Sequence, residues 1–382
     1  MCRDLGLYIH IPFCRSKCRY CSFVSFERRE ADIPGYLDAL KKELVRRAHG
    51  EHLRSIYFGG GTPSLLPVDS IGDLLLAIKA LFIVDEGCEV TVEANPGTVD
   101  EAYLNALREN GVDRLSLGVQ SLNDRELDLL GRIHTAQQAV EAFRFARSAG
   151  FDNVNIDFIY GIPGQTVYDW RRTLDKALEM GPEHISLYSL SLEPDAPMQQ
   201  EINEKKIPGV NSDLSADQYE IVEDSLESGG YKHYEISNWA KSGRECRHNA
   251  GYWQNLPYLG VGVAAHSWLD GHRIANVKDI DTYIESFLDG ATLVPDMDEE
   301  ISPELQLAET VILGLRLCDG VSVSDLSDRF DRDILTEYQR QVGEMTDLGL
   351  VEYTDGYLKL TRRGYLLSNE VFWRFLPEKQ QL

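Results

Sequence analysis

Three cysteines, Cys14, Cys18 and Cys21, lie on one short stretch in a CxxxCxxC spacing, with Arg15, Lys17 and Arg19 between and beside them. Three thiolates on one loop can hold three irons of a four-iron cluster and leave the fourth iron open to a chelating amine and carboxylate. The flanking cations favour thiolate over thiol. A structural zinc ion would want four ligands, commonly in CxxC pairs, and no second pair is present. Further polar residues stand where a ligand could meet them. These are the glycine turn Gly59-Gly60-Gly61 with Thr62, then Glu93, Gln120, Arg132 and Asp157. Glycines let the backbone approach a ligand closely. Polar groups on apolar strands cost free energy unless paired, by a ligand or by one another. For Glu93 ligand contact is the favoured reading; for Gln120, Arg132 and Asp157 the residues alone leave both open. His248, in His248-Asn249-Ala250-Gly251-Tyr252-Trp253, carries an imidazole able to ligate a metal beside two aromatic rings. A turn cap with packed aromatics is the plainer alternative.

The elements that must position these groups alternate. Near-continuous apolar runs at 7–12, 55–58, 89–93, 115–120, 154–160 and 185–192 read as parallel strands covered on both faces. Amphipathic stretches fall between them; at 34–48, Leu37, Leu40, Leu44, Val45 and Ala48 recur at helical spacing. Six such units predict an α/β fold with a partial (β/α)6 TIM-like barrel, or a doubly wound sheet, with the site at the C-terminal strand ends. Barrel, cluster and ligand site fall in 1–195. An extension and linker with the histidine element follow in 196–300. A C-terminal α+β winged-helix-like domain is expected over 301–382, with a hairpin turning at Asp355-Gly356. Its Asp325, Asp328, Asp331, Asp333 and Glu337 make docking on the barrel a better use for it than DNA binding.

The 382 residues carry a net charge of −24, which disfavours nucleic acid as a partner. Seven cysteines, an odd number, argue against a disulfide framework. No apolar run is long enough to cross a bilayer, and residues 1–7 do not read as a signal peptide, so a cytoplasmic protein is expected.

CxxxCxxC after a first strand, within repeated strand–helix units, resembles the radical S-adenosylmethionine superfamily. The segments HIPFC, GGGTPS, EANPG, GVQS and DFIYGIPGQT resemble its branch containing oxygen-independent coproporphyrinogen III oxidase and related heme chaperones. The resemblance implies a [4Fe–4S] cluster on Cys14, Cys18 and Cys21. It implies S-adenosylmethionine contacts at Tyr8, Gly60, Gly61, Thr62 and Glu93, and contacts of a second such molecule at Tyr20, Gln120, Arg132 and Asp157. Two departures from the oxidase pattern point to the chaperones. Phe23 stands where the oxidase has a further cysteine, and the chain reaches its first strand without the oxidase's long N-terminal extension. The expected function is therefore binding heme, with His248 among its contacts, and delivering it to acceptor proteins. Membrane association through those acceptors and a homodimer are left open. The alternative is a coproporphyrinogen III dehydrogenase that turns propionates into vinyl groups. An RNA-modifying enzyme is disfavoured by the acidic charge.

Overall fold

The computed structural model describes residues 4–288 and 294–377. The first three residues of the start read above, part of the linker at 289–293 and the chain end at 378–382 lie outside the described residues. Six parallel strands stand side by side in chain order: Asp4–Ile11, His52–Gly60, Ile83–Ala94, Arg114–Gln120, Val154–Tyr160 and His184–Ser189. Each crossover carries helix, with main spans Ile33–Arg47, Val68–Leu81, Glu101–Glu109, Ala136–Ser148 and Val167–Met180. This is the expected partial barrel. The sheet is longer than the six units. The glycine-rich run after Pro257 supplies a seventh parallel strand, Tyr258–Val261, on the far side of the first strand, with Gly6 opposite Tyr258. Three antiparallel strands, His266–Leu269, His272–Ala275 and Met297–Glu300, continue that edge. Asn238–Ala240 and Lys232–Glu235 extend the other.

The local chemistry explains the elements. The six strands present Leu7, Ile9, Ile56, Phe58, Val92, Leu117, Ile156 and Ile185 to the core, all buried. The helices Ala136–Ser148 and Val167–Met180 begin in capping boxes, Thr135 with Gln138 and Thr166 with Asp169, which satisfy the first free amides of each helix. Helix Ile33–Arg47 buries Tyr36, Leu37, Leu40 and Leu44, but Val45, read above as part of that stripe, is exposed. Strand three begins at Ile83, ahead of the expected start at Glu89, because Asp85, Glu86 and Gly87 interrupt the apolar pattern without ending the strand.

The seventh strand is held by a buried carboxylate. Glu43 accepts hydrogen bonds from Gly262 N–H (2.8 Å), Tyr283 O–H (2.6 Å) and Asn276 Nδ2 (2.7 Å). Gly262 has φ +104°, and a Cβ there would stand 2.6 Å from the Tyr36 hydroxyl, so the turn out of this strand requires glycine.

From Pro303 the chain forms a second core around Leu307, Val311, Leu326, Leu358 and Phe375. Its hairpin pairs Val351–Thr354 with Tyr357–Leu360. The turn falls on Asp355 and Gly356, both left-handed at φ 55° and φ 85°, as a two-residue hairpin turn demands. Val321–Ser322 adds a third strand to the hairpin, too short to read from sequence. This unit docks on the barrel. Arg329 donates to the carbonyl of Asn255 at 2.9 Å, and Arg316 lies 4.2 Å over the Trp253 ring while pairing with Glu235 at 3.3 Å.

Candidate functional site

The cysteine loop leaves the first strand directly. Cys14, Cys18 and Cys21 are free thiols, each partly exposed. Burial pushes the Cys14 and Cys21 thiols above the ordinary range, so they part with a proton most readily to a metal. Among the described residues no three Cys, His, Asp or Glu side chains converge tightly enough to hold one metal ion. A single zinc draws every thiolate to about 2.3 Å from one centre; a four-iron cluster takes its thiolates on separate corners. Three thiolates with no second CxxC pair are the donor set of a cluster with one open iron rather than of a four-ligand zinc site.

A web of polar groups braces this loop. Cys14 Sγ lies 3.6 Å from Thr62 Oγ1, which accepts from Asn95 Nδ2 at 2.9 Å. Asn95 Oδ1 in turn accepts from Arg132. The Arg132 guanidinium also donates to Gly118 O (2.6 Å) and to Cys18 Sγ (3.2 Å). Burial raises the Tyr20 hydroxyl, and the Arg132 charge pulls it the other way. Gly118 leaves the space these groups use. A Cβ there would meet Gln120 Nε2 at 3.1 Å, Asn95 Oδ1 at 3.2 Å and Arg132 Nη2 at 3.4 Å. Gln120 itself is left-handed, φ 67°, a conformation stored at a strand end that a plain strand residue would not adopt. Asn95 was not among the expected site residues. Its position just past the third strand, in Glu93-Ala94-Asn95-Pro96, was the available signal.

Beside the web lies the glycine turn. A Cβ on Gly61 would meet Phe13 O at 2.8 Å and Cys14 Sγ at 3.0 Å; one on Gly60 would meet the His10 ring at 2.6 Å. Glu93 closes this turn. Its carboxylate accepts from Tyr57 O–H (2.8 Å) and from Gly60 N–H (3.2 Å). Burial, then the nearby Asp157, raises its pKa to about 7. Tyr8 stacks on Tyr57, ring centres 6.2 Å apart, and its hydroxyl bonds His10 Nδ1 at 3.1 Å. Glu93 thus joins Gly60 to Tyr57 and Tyr8, while Thr62 belongs to the web that links Cys14 through Asn95 to Arg132. The amides of Gly60 and Gly61 are already given to Glu93 and to Ile11 O, and the turn is packed closely against His10 and Phe13.

Two expected residues make no hydrogen bond to these groups, although Asp157 lies near enough to Glu93 to raise its pKa. Asp157 is in the middle of strand Val154–Tyr160 rather than at its end. Its carboxylate accepts from Ser116 Oγ (3.1 Å) and Asn155 Nδ2 (2.8 Å), inside a polar network that runs on to His184 and Tyr234. His248 is buried in the helix Arg247–Trp253. One ring nitrogen pairs with Ser55 Oγ at 2.9 Å and the other with the Tyr252 hydroxyl at 2.8 Å, and its ring stacks on Tyr57. Burial, then Arg54 and Arg114, lowers its pKa to about 3. Both ring nitrogens are thus occupied inside the barrel, and His248 caps no turn: the helix is entered at Cys246 without a side-chain cap.

A cavity of about 900 Å³ opens beside the cysteine loop. Phe23, Tyr252, Trp253 and Trp268 wall it from the barrel, and Phe372 and Trp373 from the C-terminal unit. Phe23 is 63% exposed, which is unusual for so apolar a ring.

Residues 8–177 match the model of the Radical SAM superfamily, and residues 301–367 that of the HemN C-terminal domain. The chain is 35% identical to "Heme chaperone HemW" of Bacillus subtilis over 97% of this chain and 99% of that protein. It is 32% identical to the protein of the same name from Escherichia coli, covering 98% of each. Among solved structures it resembles the radical SAM enzyme coproporphyrinogen III oxidase (HemN) from Escherichia coli. That likeness has a TM-score of 0.85 and 26% identity and covers 98% of this chain and 90% of that one. Among the described residues no helix is long and apolar enough to cross a membrane.

Proposed function

This chain belongs to the radical S-adenosylmethionine superfamily and, within it, to the heme chaperone family, and from that premise we propose that it binds heme and hands it to acceptor proteins. The observation that carries the reading is the aromatic cavity of about 900 Å³ against the cysteine loop, with the exposed Phe23 in its wall. Its volume lies within the range of about 300–1,000 Å³ that small-molecule pockets occupy. Phe23 offers the porphyrin a surface and no thiol for chemistry.

Superfamily membership implies a [4Fe–4S] cluster and S-adenosylmethionine. Cys14, Cys18 and Cys21 would supply three thiolates to that cluster. Arg132 and Thr62 would hold their loop through the bonds to Cys18 and Cys14. Tyr8, Gly60, Gly61, Thr62 and Glu93 would receive S-adenosylmethionine, with Glu93 taking its ammonium as a proton leaves the carboxyl. Tyr20 and Gln120 would bound the other side. When reduced, such a cluster supplies the electron that splits S-adenosylmethionine. In a chaperone that chemistry would serve to gate heme release rather than to oxidise a porphyrin. The acidic surface fits protein acceptors better than nucleic acid.

The structural likeness to the oxidase favours one second reading, a coproporphyrinogen III dehydrogenase. Anaerobic cluster reconstitution, split between a hemin titration and a coproporphyrinogen assay, separates the two. Saturable hemin binding without protoporphyrinogen is the expected outcome. Protoporphyrinogen formed with consumption of S-adenosylmethionine would replace the chaperone reading.

A further inference from the structure

A heme carrier needs an iron ligand, and the inference that follows rests on the heme-binding reading above. Three histidines surround the cavity and its walls. His10 is buried, its Nε2 bonded to Val24 O at 2.8 Å and its Nδ1 to the Tyr8 hydroxyl at 3.1 Å. His248 is buried and bonded at both nitrogens, as described. Each would have to break two hydrogen bonds inside the barrel to reach an iron. His266 differs on every count. It opens the strand His266–Leu269 at the rim of the cavity, is exposed, and its ring enters no hydrogen bond among the described residues.

The cavity around His266 has the chemistry of a porphyrin site. Phe23 and Trp373 are both exposed within it, an apolar cost that a flat ligand would remove. Tyr252 and Trp253, the last two residues of the histidine element, stand in the same wall. Arg273, held by Glu309 at 2.6 Å, brings a cation to the wall for a propionate to meet.

We propose that His266 is the axial ligand to heme iron in this cavity, and that His248, already bonded at both ring nitrogens, does not touch the iron. Only neutral imidazole ligates iron. Partial burial first, then Lys278 and Arg273, lowers the proton affinity of His266 and so keeps that form at neutral pH.

The test is a hemin titration of the full-length chain, read by the Soret band and by the spin state of the iron. His266→Ala is expected to shift the Soret band and weaken binding at least tenfold. His266→Gly should recover the native band on addition of imidazole, which shows that the loss is of a ligand and not of the fold. His248→Gln should bind hemin with the native spectrum. A native Soret position and affinity in His266→Ala would overturn the assignment while leaving heme binding intact, as would loss of the iron ligation signature in His248→Gln alone. A native chain that takes up no hemin saturably would overturn the chaperone reading, and this inference with it.

Discussion

Replacing Glu93 by glutamine should remove the pH dependence that this carboxyl imposes on the apo-protein. Its pKa in the fold is about 7, against an ordinary 4.5, chiefly because burial penalises its charge. A carboxyl raised in this way is favourable to the fold while protonated. Its contribution is fully present below pH 4.5 and is lost as pH rises through 7. The ionised form above pH 7 costs about 3 kcal/mol, at about 1.36 kcal/mol per pKa unit. Glutamine is never ionised, so Glu93→Gln escapes that cost at pH 8. It also loses one acceptor, because an amide nitrogen cannot receive both Tyr57 O–H and Gly60 N–H as the carboxylate does; that loss is worth about 1 kcal/mol at any pH. The two effects cross. The variant should unfold roughly level with the native chain at pH 5, where about 0.8 kcal/mol of the carboxyl's contribution is already lost, and roughly 4 °C above it at pH 8, at about 2 °C per kcal/mol. Thermal scans of the metal-free chain at both pH values measure this directly. A constant offset between the two proteins from pH 5 to pH 8 would refute the argument, because it would mean that Glu93 titrates normally. The same variant should bind S-adenosylmethionine at least tenfold more weakly, since the stability gained is the anionic charge withdrawn from the ligand.

Any one of Cys14→Ala, Cys18→Ala or Cys21→Ala should abolish the cluster's visible absorbance after anaerobic reconstitution; an intact spectrum would remove that cysteine from the cluster. Gly61→Ala puts a methyl 2.8 Å from Phe13 O and 3.0 Å from Cys14 Sγ. Iron retained per chain should therefore fall severalfold, and a full complement measured by iron analysis would count against the loop geometry. Arg132→Met removes the donors to Cys18, Asn95 and Gly118. It should lower the unfolding free energy by about 2–3 kcal/mol as those buried acceptors go unpaired and speed cluster loss in air, and an unchanged cluster lifetime would dissociate Arg132 from the site. His248→Ala strands the Ser55 and Tyr252 hydroxyls and leaves a cavity. Urea unfolding should show a loss of about 3 kcal/mol, and a loss below about 1 kcal/mol would contradict its buried, doubly bonded placement.

The strands were legible because parallel strands covered on both faces need near-unbroken apolar runs, and Arg114–Gln120 and Val154–Tyr160 have them. The glycine turn and the cysteines were legible because backbone approach and thiolate chemistry each demand a residue type. Tyr258–Val261 escaped because a short strand running into glycine-rich chain carries too little periodicity, and its partner lies at the far end of the sequence, Gly6 opposite Tyr258. His248 and His266 illustrate the harder limit. A motif marks the first and nothing marks the second, yet what separates them is whether a hydroxyl from Ser55 or Tyr252 already occupies the ring. That is a fact of folding at long range. Asn95 was hidden for the same reason, since it owes its role to Arg132 arriving beside Gly118.

The wedging of Asp4–Ile11 between His52–Gly60 and Tyr258–Val261 has a consequence for the newborn chain. On the ribosome the first strand acquires one neighbour early and waits for the other until residue 261 has emerged. Throughout that interval one edge of a very apolar strand is unpaired, a template for mispairing and aggregation. Its closing partner is also the strand that leads into the cavity rim at Ala264, Ala265 and His266. Synthesis order therefore keeps the aromatic cavity unassembled on partial chains, and its last wall, at Phe372 and Trp373, arrives only near the chain end.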